Sequence, residues 1–359
     1  MNTTLPTMPV RNGNHSAPRL PQFRVTVNAR CGRACFFCRP SGEAVATEAG
    51  SELKVDDLIA VAKVVRAAGI TSIKLTGGDP ALYDPLEDAV SRLRREAGFE
   101  EIEVISRHPR IGERAERLAA LGVTQFNMSL DTLDKRLHHE LCGVDDLPEV
   151  VGALQSCVKT GVPVKVNMVV MGDINDEEVP GLAGFCAMNG VRTLKLLDVI
   201  KDLDGGAESF ARRLAIKRGR KLPELYVPLE TFAAKFGAVA VKTEVRSQGG
   251  LGHPMTVVTL PSGLEIMLKD SNAGAWYGSV CDGCPFFPCH DALMALRLTA
   301  DLRLQFCLLR QDNTIELAHL VHDDDQLGIV IRDALEPYAS AHFRDSTTTD
   351  LPLSEAVQA

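Results

Sequence analysis

Short β-branched runs alternate with longer amphipathic stretches from residue 23 to about residue 200. Residues 23–27, 72–75, 101–106, 125–130, 162–170 and 193–199 have the length and aliphatic content of strands. Between them, residues 55–68 place Val55, Leu58, Ile59, Ala62 and Val65 on one helical face. Residues 84–96, 111–121, 133–141, 147–160 and 176–189 also have helical character. Strand–helix units in a row imply parallel strands with helices outside, because right-handed crossovers lay the helix on the sheet. The predicted fold class is α/β: a partial (β/α)6 TIM-like barrel, whose reacting groups belong at the C-terminal ends of its strands.

The pattern changes after residue 200. Residues 202–226 are charged and glycine-containing, 229–236 read as a helix, and 239–245, 255–260 and 264–268 read as strands joined by turns such as Pro261-Ser262-Gly263. The expected organisation is a disordered lead-in over 1–20, the barrel over 21–200, a cysteine-rich C-terminal extension over 201–345, and a frayed polar tail over 346–359.

Composition narrows the class. Of 359 residues, 45% are hydrophobic and 24% charged, which is ordinary for a globular protein. No run of eighteen apolar residues could span a membrane, and the polar N-terminus lacks a secretory signal, so a cytoplasmic protein is expected. A formal charge of -8 argues against nonspecific nucleic-acid binding. Arg212, Arg213, Lys217, Arg218, Arg220 and Lys221 form a basic exception, either a solvated face or a rim that attracts an anionic substrate.

The ten cysteines are unevenly spread. Cys142, Cys157 and Cys186 sit on helix-like segments and read as core residues. The others fall in two groups, and without a secretory signal such groups read as metal ligands rather than disulfides. Cys31-Gly-Arg-Ala-Cys35-Phe-Phe-Cys38 follows the first predicted strand. Three thiolates on one loop can hold three irons of a [4Fe–4S] cube. Zinc would normally want a fourth protein ligand, and Arg39, Pro40 and Ser41 do not supply one. Cys281, Cys284, Cys289 and Cys307 form the second group; their spacings suit a second [4Fe–4S] cluster or structural zinc.

The first motif, at this place in a βα barrel, resembles the radical S-adenosylmethionine (SAM) superfamily. The resemblance implies that Cys31, Cys35 and Cys38 hold a cluster whose open iron grips SAM, and that Phe37 contacts the adenine. Gly77-Gly78-Asp79-Pro80 resembles the family's GGEP turn for the SAM amino group. Over residues 23–309 the likeness is to the MoaA-like branch, the GTP 3',8-cyclases. Asn127-Met-Ser-Leu-Asp131 is similar to its N-V-S-L-D strand, which implies SAM contact by Ser129. Leu197 falls at the position of its methionine beyond the sixth strand. Arg24, Lys74, Lys165 and Arg297 fall at substrate-side positions. Residues 296–309 resemble its C-terminal hairpin, which favours iron–sulfur over zinc at an auxiliary cluster.

The departures concern the substrate side. This branch normally uses three cysteines in the second group, and here Cys289 adds a fourth. Its T-N-G is Ser106-Arg107-His108, its arginine before the glycine turn is Lys74, its arginine triad keeps only Arg297, and its terminal Gly-Gly is absent. The resemblance therefore implies a 5'-deoxyadenosyl radical that abstracts hydrogen from a different polar or anionic small molecule: a nucleotide, sugar nucleoside or sugar acid. Cyclisation, decarboxylation or dehydration would follow, in cofactor or natural-product biosynthesis. An external flavodoxin- or ferredoxin-type donor would supply electrons. A diverged GTP 3',8-cyclase, a peptide-modifying radical SAM enzyme and a non-catalytic iron–sulfur or zinc regulator are the alternative readings.

Overall fold

The computed structural model describes residues 19–35, 38, 50–199, 219, 221–248, 250–289 and 291–344. Phe37, the basic positions from Arg212 to Arg218 together with Arg220, and the terminal segments 1–18 and 345–359 lie outside that set; Lys221 is exposed.

The alternating part folds as β1 (Gln22–Thr26), α1 (Val55–Ala67), β2 (Ser72–Thr76), α2 (Leu86–Arg95), β3 (Glu101–Ser106), α3 (Arg110–Leu121), β4 (Gln125–Ser129), α4 (Lys135–Cys142), α5 (Leu147–Lys159), β5 (Val164–Val169), α6 (Val179–Met188) and β6 (Thr193–Leu197). The rest adds α7 (Glu230–Gly237), β7 (Lys242–Gln248), β8 (Leu251–Thr259), β9 (Glu265–Lys269), β10 (Ala275–Tyr277), β11 (Ala295–Leu298), β12 (Arg303–Gln305), β13 (Thr314–Glu316), α8 (Asp324–Ala339) and β14 (His342–Arg344). None of the described helices is long and apolar enough to cross a membrane.

A 12-stranded sheet runs in the order β13-β12-β11-β1-β2-β3-β4-β5-β6-β9-β8-β7 and curls into a half-barrel. It is parallel from β11 through β9, and antiparallel strands finish each side. Strands from beyond residue 200 thus pair with both β1 and β6, whose backbone groups would otherwise be unsatisfied edges.

Side chains alternate across each strand. Outward residues such as Phe23, Val25, Ile73, Leu75, Val104, Phe126, Val166 and Leu196 are buried beneath the helices. Inward positions are polar: Arg24, Lys74, Glu103, Asn127, Lys165 and Lys195. β5, which reads as strongly apolar in sequence, shows this plainly, because its buried residues alternate with half-buried Lys165 and Asn167.

α8 was not anticipated from the sequence, although its signal is present. Asp323 caps it by accepting from the Gln326 amide, and Leu327, Ile331, Ala334, Leu335 and Tyr338 form a buried stripe. The Tyr338 hydroxyl donates to the Ala295 carbonyl of β11 at 2.8 Å, and its ring stacks on Phe306. Beside α1, this helix covers the outer face of the β11 side of the sheet. Ile331→Ala should remove about 2–5 kcal/mol of stability by leaving a cavity under that helix, read as a lower denaturation midpoint with an unchanged slope.

Candidate active site

Residues 31–35 follow the C-terminal end of β1 without regular structure of their own, so their placement depends on what they touch. On one side, the residues just ahead of them lie against the Gly77-Gly78-Asp79-Pro80 turn after β2. The Gly78 amide donates to the Asn28 carbonyl at 2.8 Å and the Asp79 amide to the Arg30 carbonyl at 2.7 Å. The Asn28 side-chain amide returns a bond to the Asp79 carbonyl at 3.0 Å. A Cβ on Gly77 would stand 2.7 Å from the Asn28 carbonyl oxygen, and one on Gly78 would stand 2.3 Å from that of Arg30. The two glycines are required by this backbone contact.

The Asp79 carboxylate is bound by protein donors. Its oxygens accept from the Ala81 amide, the Ser106 hydroxyl at 2.6 Å, and the Arg107 and His108 amides at 2.9 and 3.1 Å. It ties the end of β2 to the end of β3. The Asp79 side chain is therefore occupied by the protein, as are the Gly78 and Asp79 amides.

On its other side the loop is held by Arg33. This guanidinium is almost wholly buried and makes a forked pair with Asp146 at the head of α5. It also reaches the Arg107 carbonyl at 3.3 Å, while His138 contacts the same Asp146 at 3.0 Å. The Ala34 amide donates to the Cys142 carbonyl at 3.0 Å. Sequence reasoning missed Arg33 and Asp146; nothing local marks a pair 113 residues apart.

Of the three thiols, Cys35 is buried, and Cys31 and Cys38 are partly accessible. Burial, the Asp79 carboxylate and Cys38 push the Cys31 thiol up to about 11, so it gives up a proton when it takes a metal. Cys142 is a buried core residue, as expected, and also a neighbour of this group. The Arg107 guanidinium lies 3.3 Å from the Cys35 sulfur, 3.0 Å from the Cys142 sulfur and 2.9 Å from Asp131. Ser129 ends β4 opposite Asn167, and Leu197 ends β6, its carbonyl accepting from the Val170 amide. Both stand at the same end of the sheet as the cysteine loop.

Below them, the strand registers put Arg24 beside Lys74, Lys74 beside Glu103, and Asn127 beside Lys165. Lys74 pairs with Glu103 at 3.0 Å. Burial raises the Glu103 pKa, but Lys74, Lys165 and the Asn127 amide outweigh it and hold the carboxyl at about 2. Burial, then the Lys74 charge, lowers Lys165 to about 8. Lys195, absent from the sequence reading, is driven well below its ordinary value by burial and by Lys165, Lys74, Lys269 and Arg24. Arg297 is buried beside Arg24 and is committed to protein groups: Asp291 at 3.3 Å and the Ala295 and Phe306 carbonyls.

Cys281, Cys284, Cys289 and Cys307 line one pocket with Phe287 and Arg310. Tyr277 donates to the Cys289 carbonyl, and Asp291 accepts from the Leu308 amide while pairing with Arg297. Among the described residues, no three His, Cys, Asp or Glu side chains are grouped to bind a single metal ion.

Comparison with known proteins fits this geometry. Residues 25–186 match the family model of the Radical SAM superfamily, so this part of the chain is a radical SAM domain. Its family implies a [4Fe–4S] cluster and SAM. Within that class it is similar to GTP 3',8-cyclases. The probable GTP 3',8-cyclase of Archaeoglobus fulgidus is 28% identical over 301 residues, 83% of this chain and 89% of that protein. That of Sulfurisphaera tokodaii is 29% identical over 323 residues, 90% and 92% respectively. The crystal structure of Streptococcus suis SuiB bound to S-adenosylmethionine shares the fold, with a TM-score of 0.54 at 13% identity, covering 88% of this chain and 68% of that one.

If the Arg33–Asp146 fork shapes the loop, Arg33→Ala should lower iron retained per chain after anaerobic reconstitution although all three thiols remain. Wild-type iron retention in that variant would refute the assignment.

Proposed function

We propose that Cys31, Cys35 and Cys38 hold the [4Fe–4S] cluster, and that this enzyme acts on an anionic small molecule held inside the half-barrel. The thiols fit the group: they share one loop, clamped from both sides, with no nearby fourth side chain of zinc type on that loop. When bound, the cluster and SAM supply a 5'-deoxyadenosyl radical. The Gly77–Pro80 turn, Ser129, Leu197 and Phe37 are assigned to SAM. The chain's own task is to orient one C–H bond and exclude water and stray hydrogen donors.

The observation that carries the substrate class is the charge of the interior. Lys165, Lys74, Lys269 and Arg24 all lie near enough to Lys195 to lower its pKa, and Lys74 pairs with Glu103. Buried cations this close repel one another, which favours an anionic ligand among them. We assign Arg24, Lys74, Lys165 and Lys195 to a phosphate or carboxylate of a nucleotide, sugar nucleoside or sugar acid. Arg297 is assigned to shaping the wall beside them. Cyclisation, decarboxylation or dehydration within a biosynthetic route, with electrons from an external flavodoxin- or ferredoxin-type donor, completes the proposal.

We assign a second [4Fe–4S] cluster to Cys281, Cys284, Cys289 and Cys307. The four thiols line one pocket, and the resemblance to the MoaA-like hairpin favours iron–sulfur over zinc there. With Cys289 included, no iron there remains open to substrate. The relatives' names favour a second reading, a diverged GTP 3',8-cyclase. Tight GTP binding with formation of a cyclised product would select it.

Three outcomes test the proposal. Anaerobic, dithionite-reduced protein should convert SAM to 5'-deoxyadenosine, and Cys35→Ala should abolish this; equal turnover in that variant refutes the ligand assignment. Lys165→Gln should weaken binding of a nucleoside triphosphate about tenfold or more, the loss of one charge-assisted hydrogen bond, with little effect on the uncharged nucleoside. Lys165 loses its proton as pH rises through about 8, so triphosphate affinity should fall above that pH in calorimetric titrations and flatten in Lys165→Gln.

A further inference from the structure

We propose that Arg107 is a positioning residue that sets the electron affinity of the cluster through Cys35. This rests on the reading of Cys31, Cys35 and Cys38 as its ligands. Arg107 is held at both its backbone and its side chain. Its amide donates to Asp79, its carbonyl accepts from Arg33, and its guanidinium pairs with Asp131 at 2.9 Å. Asp131 is itself fixed, because its other oxygen accepts from the Val169 amide at 2.9 Å. What this scaffold presents is a single N–H-bearing nitrogen lying 3.3 Å from the Cys35 sulfur and 3.0 Å from the Cys142 sulfur.

The Cys142 sulfur shares that donor with Cys35. Cys35, as an iron ligand, carries thiolate charge. Reduction adds one electron from a low-potential donor of the flavodoxin class; no bond to the protein forms or breaks and no proton is needed. The added negative charge spreads onto the ligand sulfurs, where a fixed cation and an N–H···S bond stabilise the reduced form more than the oxidised one. Asp131 offsets part of the charge but leaves the N–H directed at sulfur. The sequence places this arginine where the cyclase branch has T-N-G, so the device belongs to this chain's own residues.

The test is a redox titration of the anaerobically reconstituted full chain, followed by electron paramagnetic resonance. The SAM-responsive signal identifies the cluster in question, apart from any signal of the second cysteine group. Arg107→Gln should lower the potential enough to reduce the ratio of reduced to oxidised cluster about tenfold at a fixed donor potential, which is 59 mV for a one-electron couple. Arg107→Lys, keeping the charge, should recover part of the shift. Cys142→Ala should keep wild-type iron content. An unshifted potential in Arg107→Gln overturns the proposal. So does iron loss in both Arg107 variants, which would make the role purely structural, or iron loss in Cys142→Ala equal to that in Cys35→Ala, which would make Cys142 a ligand. A wild-type chain without a SAM-responsive signal sinks the parent reading as well, whereas a normal signal with an unshifted variant sinks this proposal alone.

Discussion

The position of the three N-terminal thiols depends on one backbone contact, the seating of Gly77–Asp79 against Asn28–Arg30. A cysteine loop without helix or strand has no internal means of holding its sulfurs in register. Two carbonyls just ahead of that loop accept amides from the glycine turn, and no other residue type could come so close, since a Cβ at Gly78 would sit 2.3 Å from the Arg30 oxygen. The turn is in turn fixed by Asp79, whose carboxylate collects donors from its own short helix and from the start of the β3–α3 connection. Strand β2, the glycine turn, the cysteine loop and the end of β3 are thus one mechanical unit. Arg33 and Asp146 extend it to α5, and Arg107 and Asp131 carry it to the end of β4.

Charge is organised differently at the two depths of the half-barrel. Around the cysteine loop, cations and carboxylates are matched: Arg33 with Asp146, Arg107 with Asp131. Matched buried pairs fix geometry but contribute little net attraction for a ligand. One layer down, Arg24, Lys74, Lys165 and Lys195 lie close together, and burial first, then the neighbouring cations, lower the pKa values of Lys165 and Lys195. Grouping cations this way costs free energy that a core of apolar residues would not.

Legibility in the sequence followed the range of the interaction. The repeating strand–helix rhythm, the C-x3-C-x2-C loop and the glycine turn are local signals, and β3 was read to its end residues. Contacts across long separations were not readable. Nothing near Leu296 indicates that its strand runs parallel to β1, and nothing near Arg33 indicates Asp146. Cys142 read only as a core residue, because a helical cysteine with apolar neighbours gives no sign of a thiol loop a hundred residues earlier. Lys195 and Lys269 were hidden for another reason. In a strand buried on both faces, a single lysine among leucines shows its importance only once its neighbours across the sheet are known. The C-terminal helix is a different kind of omission, because the Asp323 cap and the stripe through Leu327, Ile331 and Tyr338 were present to be read.

The two cysteine groups are placed by strand polarity. Cys31 follows the C-terminal end of β1. Cys289 precedes β11, which runs parallel to β1, while Cys307 follows β12, which runs antiparallel to β11. The second group therefore gathers at the opposite end of adjacent strands. A strand of five residues spans about 17 Å at roughly 3.3 Å per residue, and between those ends stand Arg24 and Arg297, side by side in register. Arg297 is bound through Asp291 to the Leu308 amide, next to Cys307; Arg24 points into the cationic interior. The interior thus has Cys31 and Cys35 at one end and the four-thiol pocket at the other. The β1–β11 pairing, which joins the chain's beginning to its cysteine-rich end, fixes that separation.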